Sequence, residues 1–245
     1  MSEIIKTEAI VLSKMNYGDS SNIASLFTED LGKISVIIKG ARSVKSKYGK
    51  MVDPLNHLMV VLYKKESREV QLLSGADIIE HFPEVKSDLS KLSYAYAVLE
   101  LIKNLLAEHE VNKKLFKGVV KILNRLNLGE EQPEITFGRF LFFFLKETGY
   151  EIQIDACAIC GKRKFTDDIY YHRDKGVICG ECKRSVVDIY DINVELLTYL
   201  NCLKSNESAG NFSNLIIQKA LLFMENHLKY HVPDFKGISS LKLFN

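Results

Sequence analysis

Two groups of residues in this chain have the types and spacing to do chemistry. The first is a cysteine quartet: Cys157-Ala158-Ile159-Cys160, then 18 residues, then Cys179-Gly180-Glu181-Cys182. Each C-x-x-C pair aims two sulfurs at one ion from a tight turn, so the quartet predicts a metal centre, and Zn2+ is the ion that suits it. Four sulfurs close a tetrahedral shell and leave no position for water, which makes the centre structural rather than catalytic. The same ligands would also serve an iron–sulfur cluster or a redox pair. Gly161 and Gly180 are expected to supply the unusual backbone angles of the two turns. His172, between the pairs, is expected on a hairpin surface rather than on the ion. Lys162, Arg163, Lys164, Arg173, Lys175, Lys183 and Arg184 make the segment basic. That suits either a second contact to nucleic acid or compensation of the thiolate charge.

The second group lies in Gly32–Lys50, GKISVIIKGARSVKSKYGK, with six basic residues (Lys33, Lys39, Arg42, Lys45, Lys47, Lys50) and no acid. Cations and serine hydroxyls at the end of a strand hold phosphate, and Tyr48 would add a ring on which a base can stack. The same composition also suits a solvated surface loop.

The elements that must position these groups follow from hydrophobic period. Residues 1–80 read as five short strands: Ile4–Leu12, Asn22–Thr28, Lys33–Lys39, Asn56–Lys64 and Val70–Ile79, with a polar turn over Lys14–Ser21. Five strands in this length predict a small Greek-key barrel of the OB type, with an SH3-like barrel as the other arrangement that fits. Phe27 and Tyr63 are expected in its core and Tyr48 outside it. At Pro83 the period changes to that of a helix. One long amphipathic helix through Leu89, Leu92, Tyr96, Leu99, Ile102 and Leu106 is expected, capped by Ser87 or Asp88. A second runs over Leu115–Leu126 to Gly129. A third opens at Pro133 and carries Phe137, Phe140, Leu141, Phe144 and Leu145 to Gly149. Beyond the cysteines, helices are expected over Asp191–Lys204 and Ser213–His231, with a loop over Ser205–Asn211 and a mixed tail from Phe235. Cys202 falls in the first of these as a small buried hydrophobe. The reading is a multidomain α+β chain: a five-stranded OB-fold barrel over 1–80 for DNA binding, then an α-helical bundle domain over 81–245 with a zinc-binding insertion at about 152–188.

The chain has 245 residues, net charge +2 and 47% hydrophobic residues, so affinity for a polyanion has to come from local patches. The opening MSEIIKTEAIVL is not a signal peptide, and no apolar run approaches a membrane span. Five cysteines, an odd number, argue against a disulfide framework. A cytoplasmic protein is the expectation. There is no Walker loop and no G-x-S-x-G elbow, so nothing points to an enzyme.

Together these pieces resemble the RecO family of bacterial recombination mediators. Glu8-Ala9-Ile10-Val11-Leu12 with Tyr17-Gly18-Asp19-Ser20 is similar to the family's opening strand and turn, and Phe27-Thr28 with Gly32-Lys33 follows at the family's distance. Lys39-Gly40-Ala41-Arg42 with Lys45-Ser46 is similar to its most distinctive run, and Val52-Asp53-Pro54 to the segment after it. Phe140-Leu141 through Gly149-Tyr150, Asp155 and Cys157–Gly161 resemble its helix leading into the zinc knuckle. Ser43 stands where many members carry a second arginine, and residues 190–245 match no motif. The resemblance implies a protein of DNA repair and recombination (the RecFOR pathway), associated with the nucleoid, that catalyses no covalent chemistry. It would bind single- and double-stranded DNA, anneal complementary strands, engage the C-terminal tail of single-strand-binding protein (SSB) and act with RecR to help RecA load on SSB-coated DNA. The DNA-binding residues would be Lys33, Lys39, Arg42, Lys45, Lys47, Tyr48 and Lys50. The alternative is an RNA-binding or protein-interaction barrel with a structural zinc.

Overall fold

The computed structural model describes residues 3–165, 168–207 and 212–242. Parts of the loop expected over Ser205–Asn211 and of the tail from Phe235 lie outside the described residues. Two compact units emerge. One comprises the described residues up to Glu130 together with those from Ile238 onward, and the other is Glu131–Gly237.

The first unit is built on five strands, β1 (Glu3–Tyr17), β2 (Ser21–Thr28), β3 (Gly32–Ile38), β4 (His57–Lys64) and β5 (Val70–Glu80). They close into a barrel in the order β1-β2-β3-β5-β4, antiparallel throughout except for the β3–β5 pair. This is the OB-fold arrangement. Closure depends on the length of β1, whose first part pairs with β4 over Glu3–Ile10 and whose second pairs with β2 over Ala9–Tyr17, with a register shift between Val11 and Ser13. The turn expected from Lys14 therefore begins later. Lys14–Tyr17 stay in register with Ser21–Ala24, and the chain reverses only at Gly18, where φ is +56°. These residues look turn-like because the strand end is wet on both faces, not because the backbone turns. Inside, every second residue is buried: Ala24 and Leu26 from β2, Ile34, Val36 and Ile38 from β3, Leu58, Val60 and Leu62 from β4.

Helices α1 (Pro83–Ser87), α2 (Leu89–Leu105) and α3 (Lys113–Leu128) complete this unit. α2 is the long helix expected and is capped by Asp88, which is extended and whose side chain accepts from Lys91 N at 2.9 Å; α1 is a separate short helix ahead of it. Asn112 caps α3, and Gly129 ends it in the left-handed region. Phe116 of α3 meets Phe27 of the barrel, ring centroids 5.6 Å apart. Phe27 is fully buried as expected, but Tyr63 is exposed.

The second unit contains α4 (Pro133–Glu147), a three-stranded sheet of β6 (Ile169–His172), β7 (Gly176–Cys179) and β8 (Ile189–Ile192), then α5 (Val194–Ser205) and α6 (Asn214–His231). The sheet order is β7-β6-β8. β8 was not legible as a strand, since IYDI sits where a helix start is equally plausible. Asn193 is the cap of α5, accepting from Leu196 N at 2.8 Å. In α6, Ile216, Ala220, Phe223 and His227 are buried while Leu215 and Leu222 are exposed, the division its period predicts. Buried Arg139 of α4 grips Glu131 through two nitrogens and donates to the carbonyls of Cys202 and Glu207 at 2.8 and 2.6 Å. Cys202 itself is only half-buried. No described helix is long and apolar enough to cross a membrane.

Candidate nucleic-acid interface and metal centre

The loop between β3 and β4 leaves the barrel at Lys39 and is folded by its own small residues. Ser43 N donates to Gly40 O at 3.1 Å, Ser46 N to Ser43 O at 2.9 Å and Gly49 N to Ser46 Oγ at 3.1 Å. A side chain at Gly49 would run into the backbone of Ala41, so the loop closes on itself only with glycine there. Lys14 of β1 fastens it from below, donating to Gly49 O and pairing with Asp53. Arg42 ties it to the β1–β2 turn, its N–H reaching Ser20 O at 3.0 Å and its Nη1 reaching Gly18 O at 3.1 Å.

The result is a fixed crown whose cations face water. Lys39, Arg42, Lys45, Lys47 and Lys50 are all exposed, and among the described residues none of the five is in an ion pair. Lysines held this way, with their charge uncompensated, are available to phosphate. Two of the expected residues stand apart. Lys33 is buried: its Nζ donates to Lys103 O at 2.8 Å and pairs with Glu108 at 3.4 Å. It joins barrel to helices and is not part of the crown. Tyr48 is not an exposed ring either; it is half-buried against the barrel core, with Lys47 Nζ 5.7 Å from its ring centre. Its apolar body closes the loop over the barrel mouth. Sequence reasoning missed Arg68, which lines the same cavity of about 260 Å³ as Lys39, together with Tyr17, Ile23, Ile37, Val70 and Leu72. Arg68 is alone among mixed charges in the β4–β5 loop, so composition carried no signal for it.

The quartet converges. The sulfurs of Cys157, Cys160, Cys179 and Cys182 all lie within 4.8 Å of one another, with Cys160 and Cys179 Sγ 3.7 Å apart. Sulfurs 2.3 Å from one ion in a tetrahedron are about 3.8 Å apart, so the spacing fits Zn2+. The first turn is held by Cys157 N donating to Lys162 O at 2.8 Å and by Gly161 N donating to Cys157 O at 2.9 Å; Gly161 has φ +75°. Gly180 has no positive φ, contrary to expectation. It is needed for space, since an added Cβ would lie 2.9 Å from Cβ of Asp168. Burial pushes the Cys157 thiol up, but the N–H groups of Cys160, Cys179 and Ile159 pull it down further, to about 6. Desolvation and the neighbouring thiols push Cys182 up to about 12. Four converging sulfurs of this kind ionise together only around a cation, which is the donor chemistry of a zinc site.

Around the centre, Lys162 reaches across to Glu181 at 2.9 Å and Lys183 donates to Tyr170 Oη at 2.7 Å. His172 accepts from Asp174 N and Lys175 N through Nδ1, which gives it a turn role. Behind the centre, β6 is locked to α6: Tyr171 Oη meets His227 Nδ1 at 3.2 Å, and His227 Nε2 donates to Tyr150 O at 3.1 Å.

The chain matches the family models for the Recombination protein O N terminal over residues 1–82 and the Recombination protein O C terminal over residues 86–237. It belongs to the RecO family. The DNA repair protein RecO of Chlorobium limicola is 34% identical over 159 residues, 65% of this chain and 61% of that protein. That of Chlorobium phaeobacteroides is 27% identical over 253 residues, 96% of this chain and 97% of that protein, and that of Chloroherpeton thalassium 26% over 255 residues, 99% and 98%. The chain thus spans less than two thirds of the first of these relatives and nearly all of the other two. The two RecO models meet between residues 82 and 86, where strand gives way to helix, whereas the compact units divide after Glu130.

Proposed function

We propose that this chain is a non-enzymatic DNA-binding mediator of DNA repair. It binds single- and double-stranded DNA through the crown of its barrel and anneals complementary strands. With RecR it helps RecA load onto DNA coated by single-strand-binding protein, whose C-terminal tail it engages, and it works in the cytoplasm at the nucleoid. The supporting observation is the crown itself: Lys39, Arg42, Lys45, Lys47 and Lys50 exposed and in no ion pair among the described residues on a barrel type that grips nucleic acid. Membership of a family whose curated members are named DNA repair proteins fits it. The cysteine centre holds structural Zn2+ in this reading and takes no part in chemistry. The ion supplies the cross-link, and Cys157, Cys160, Cys179 and Cys182 supply all four ligands.

The test is annealing of complementary strands coated with the cognate single-strand-binding protein, with purified protein and no nucleotide. Annealing that is lost in the Arg42→Glu/Lys45→Glu variant is the expected result. Binding without annealing would reduce the protein to a generic DNA-binding module. Tighter binding to RNA than to DNA of equal length would favour the RNA-binding alternative.

A further inference from the structure

A zinc centre that catalyses nothing still carries four thiolates, and a thiolate that meets water is open to oxidants. In this centre the four are not sheltered alike. Each knuckle contributes one inner and one outer sulfur. Cys157 and Cys179 are each 3% exposed, whereas Cys160 is exposed and Cys182 half-buried. Cys160 lies within an unbroken exposed run, residues 158–164, and its neighbour Ile159 is 46% exposed.

The partner of Cys160 in its own knuckle is also quenched by backbone. Cys157 Sγ accepts from Cys179 N at 3.4 Å and from the N–H groups of Cys160 and Ile159. Such bonds spread a thiolate's charge and make it a poorer nucleophile. Exposure and shelter together make Cys160 the first sulfur that a small oxidant meets. Cys179 Sγ, on the other knuckle, lies 3.7 Å from it, so a second sulfur stands ready to complete a two-electron reaction. Lys162 lies near both sulfurs and is held there by Glu181 at 2.9 Å. It adds a cation where hydroxide has to leave.

We propose that Cys160 is a modification site for peroxide, and that its oxidation joins it to Cys179 and frees the metal from the two knuckles. The inference rests on the reading of the quartet as a zinc centre. The Cys160 thiolate attacks one oxygen of hydrogen peroxide: an S–O bond forms, the O–O bond breaks and hydroxide leaves, giving the sulfenic acid. The Cys179 thiolate then attacks that sulfur: the S–S bond forms, the S–O bond breaks and a second hydroxide leaves. The two sulfurs give up two electrons, the peroxide takes them, and two protons from solvent turn the hydroxides into water. Cys157 and Cys182 remain as two donors, half of a tetrahedral shell, and the metal passes to solvent. The disulfide keeps the knuckles tied, so reductant and Zn2+ rebuild the centre. Cys179 ends β7, which pairs with β6, and Tyr171 of β6 meets His227 of α6. Loss of the ion therefore loosens β6–β8 and their hold on α6.

The experiment follows zinc release from the full chain carrying Cys202→Ser, which removes the one cysteine outside the quartet. Hydrogen peroxide at about 0.1 mM is added in the presence of a chromophoric zinc chelator, with the chelator alone as control. One equivalent of zinc is expected to be released by peroxide, with the chain lighter by about 2 Da and a peptide map that joins Cys160 to Cys179. Hydrogen exchange should rise in β6–β8 and stay unchanged in β1–β5, and dithiothreitol with Zn2+ should reverse both changes. Adding Cys160→Ser should slow the release by about tenfold or more; where that variant fails to hold zinc, the peptide map of the Cys202→Ser chain decides. Zinc retained under peroxide, a sulfinic acid at Cys160 without a disulfide, or a disulfide confined to Cys157 and Cys160 would each overturn the proposal while the zinc reading stands. A fully reduced chain that contains no zinc and takes none up would remove the zinc reading itself.

Discussion

The cysteine centre and the basic crown are the two regions that type and spacing single out, and they differ in how much the residue types decide. At the centre, the four ligands that the spacing names are the four that converge, within 4.8 Å. At the crown, seven residues share one stretch, yet Lys33 and Tyr48 turn away from it. The difference is stoichiometric. A tetrahedral site needs all four donors and tolerates no substitute, so the motif and the geometry are one constraint. A phosphate surface needs only enough exposed charge, and exposure is decided by strand phase and by what packs alongside. Lys33 sits within β3, where its side chain meets Lys103 and Glu108.

The largest effects are expected at the centre. Cys157→Ser, or removal of the ion by a chelator, should unfold β6–β8. Metal binding and folding are coupled in such sites, at about 10 kcal/mol or more of apparent binding energy. Zinc content by atomic absorption should fall from one ion per chain, with a large drop in Tm; an unchanged Tm after zinc loss would rule out a structural role. A second effect tests what the centre is docked against. His227 is buried on Tyr171, with His231 and Asp174 as its titratable neighbours, and desolvation first, then His231, lowers its pKa from the usual 6.5 to about 4. The folded state therefore favours the neutral ring. Its contribution is complete above pH 6.5, is lost as pH falls through the window from about 6.5 to 4, and amounts to about 3 kcal/mol. Urea melts across that window should show the loss, and His227→Gln should flatten the pH dependence. An undiminished slope would place it on other groups.

Charge reversal at the crown comes next. Five phosphate contacts to a single strand give a slope of log K against log salt of about −3.5. Arg42→Glu/Lys45→Glu should bring it to about −2 and weaken all sequences alike. A slope unchanged by the reversal would detach these residues from the interface. Much of what surrounds the crown was legible. The β-branched run within Lys33–Lys39 placed β3, and the change of period at Pro83 marked the first helices. What was not legible is non-local. The long β1 pairs with two partners, so the polar run Lys14–Tyr17 is strand because Ser21–Ala24 lie opposite. The β3–β5 pair brings Arg68 to the same cavity as Lys39 from about 30 positions away, and no local pattern encodes that.

The smallest expected effect separates the two kinds of lysine most sharply. Lys33 and Lys39 are six positions apart on one strand and its exit, and composition treats them alike. Lys33→Met keeps the apolar stem in its buried place but removes the donor to Lys103 O and the partner of Glu108. Leaving a partly buried carbonyl unpaired costs about 1–2 kcal/mol, so Tm should fall while affinity for oligo(dT) and its salt slope stay at the parent values. Lys39→Met, exposed and outside any ion pair among the described residues, should do the reverse: no change in Tm, and a salt slope shallower by about 0.7. Equal loss of affinity in the two variants would mean that the whole basic run acts on DNA as a unit and that burial does not sort its members.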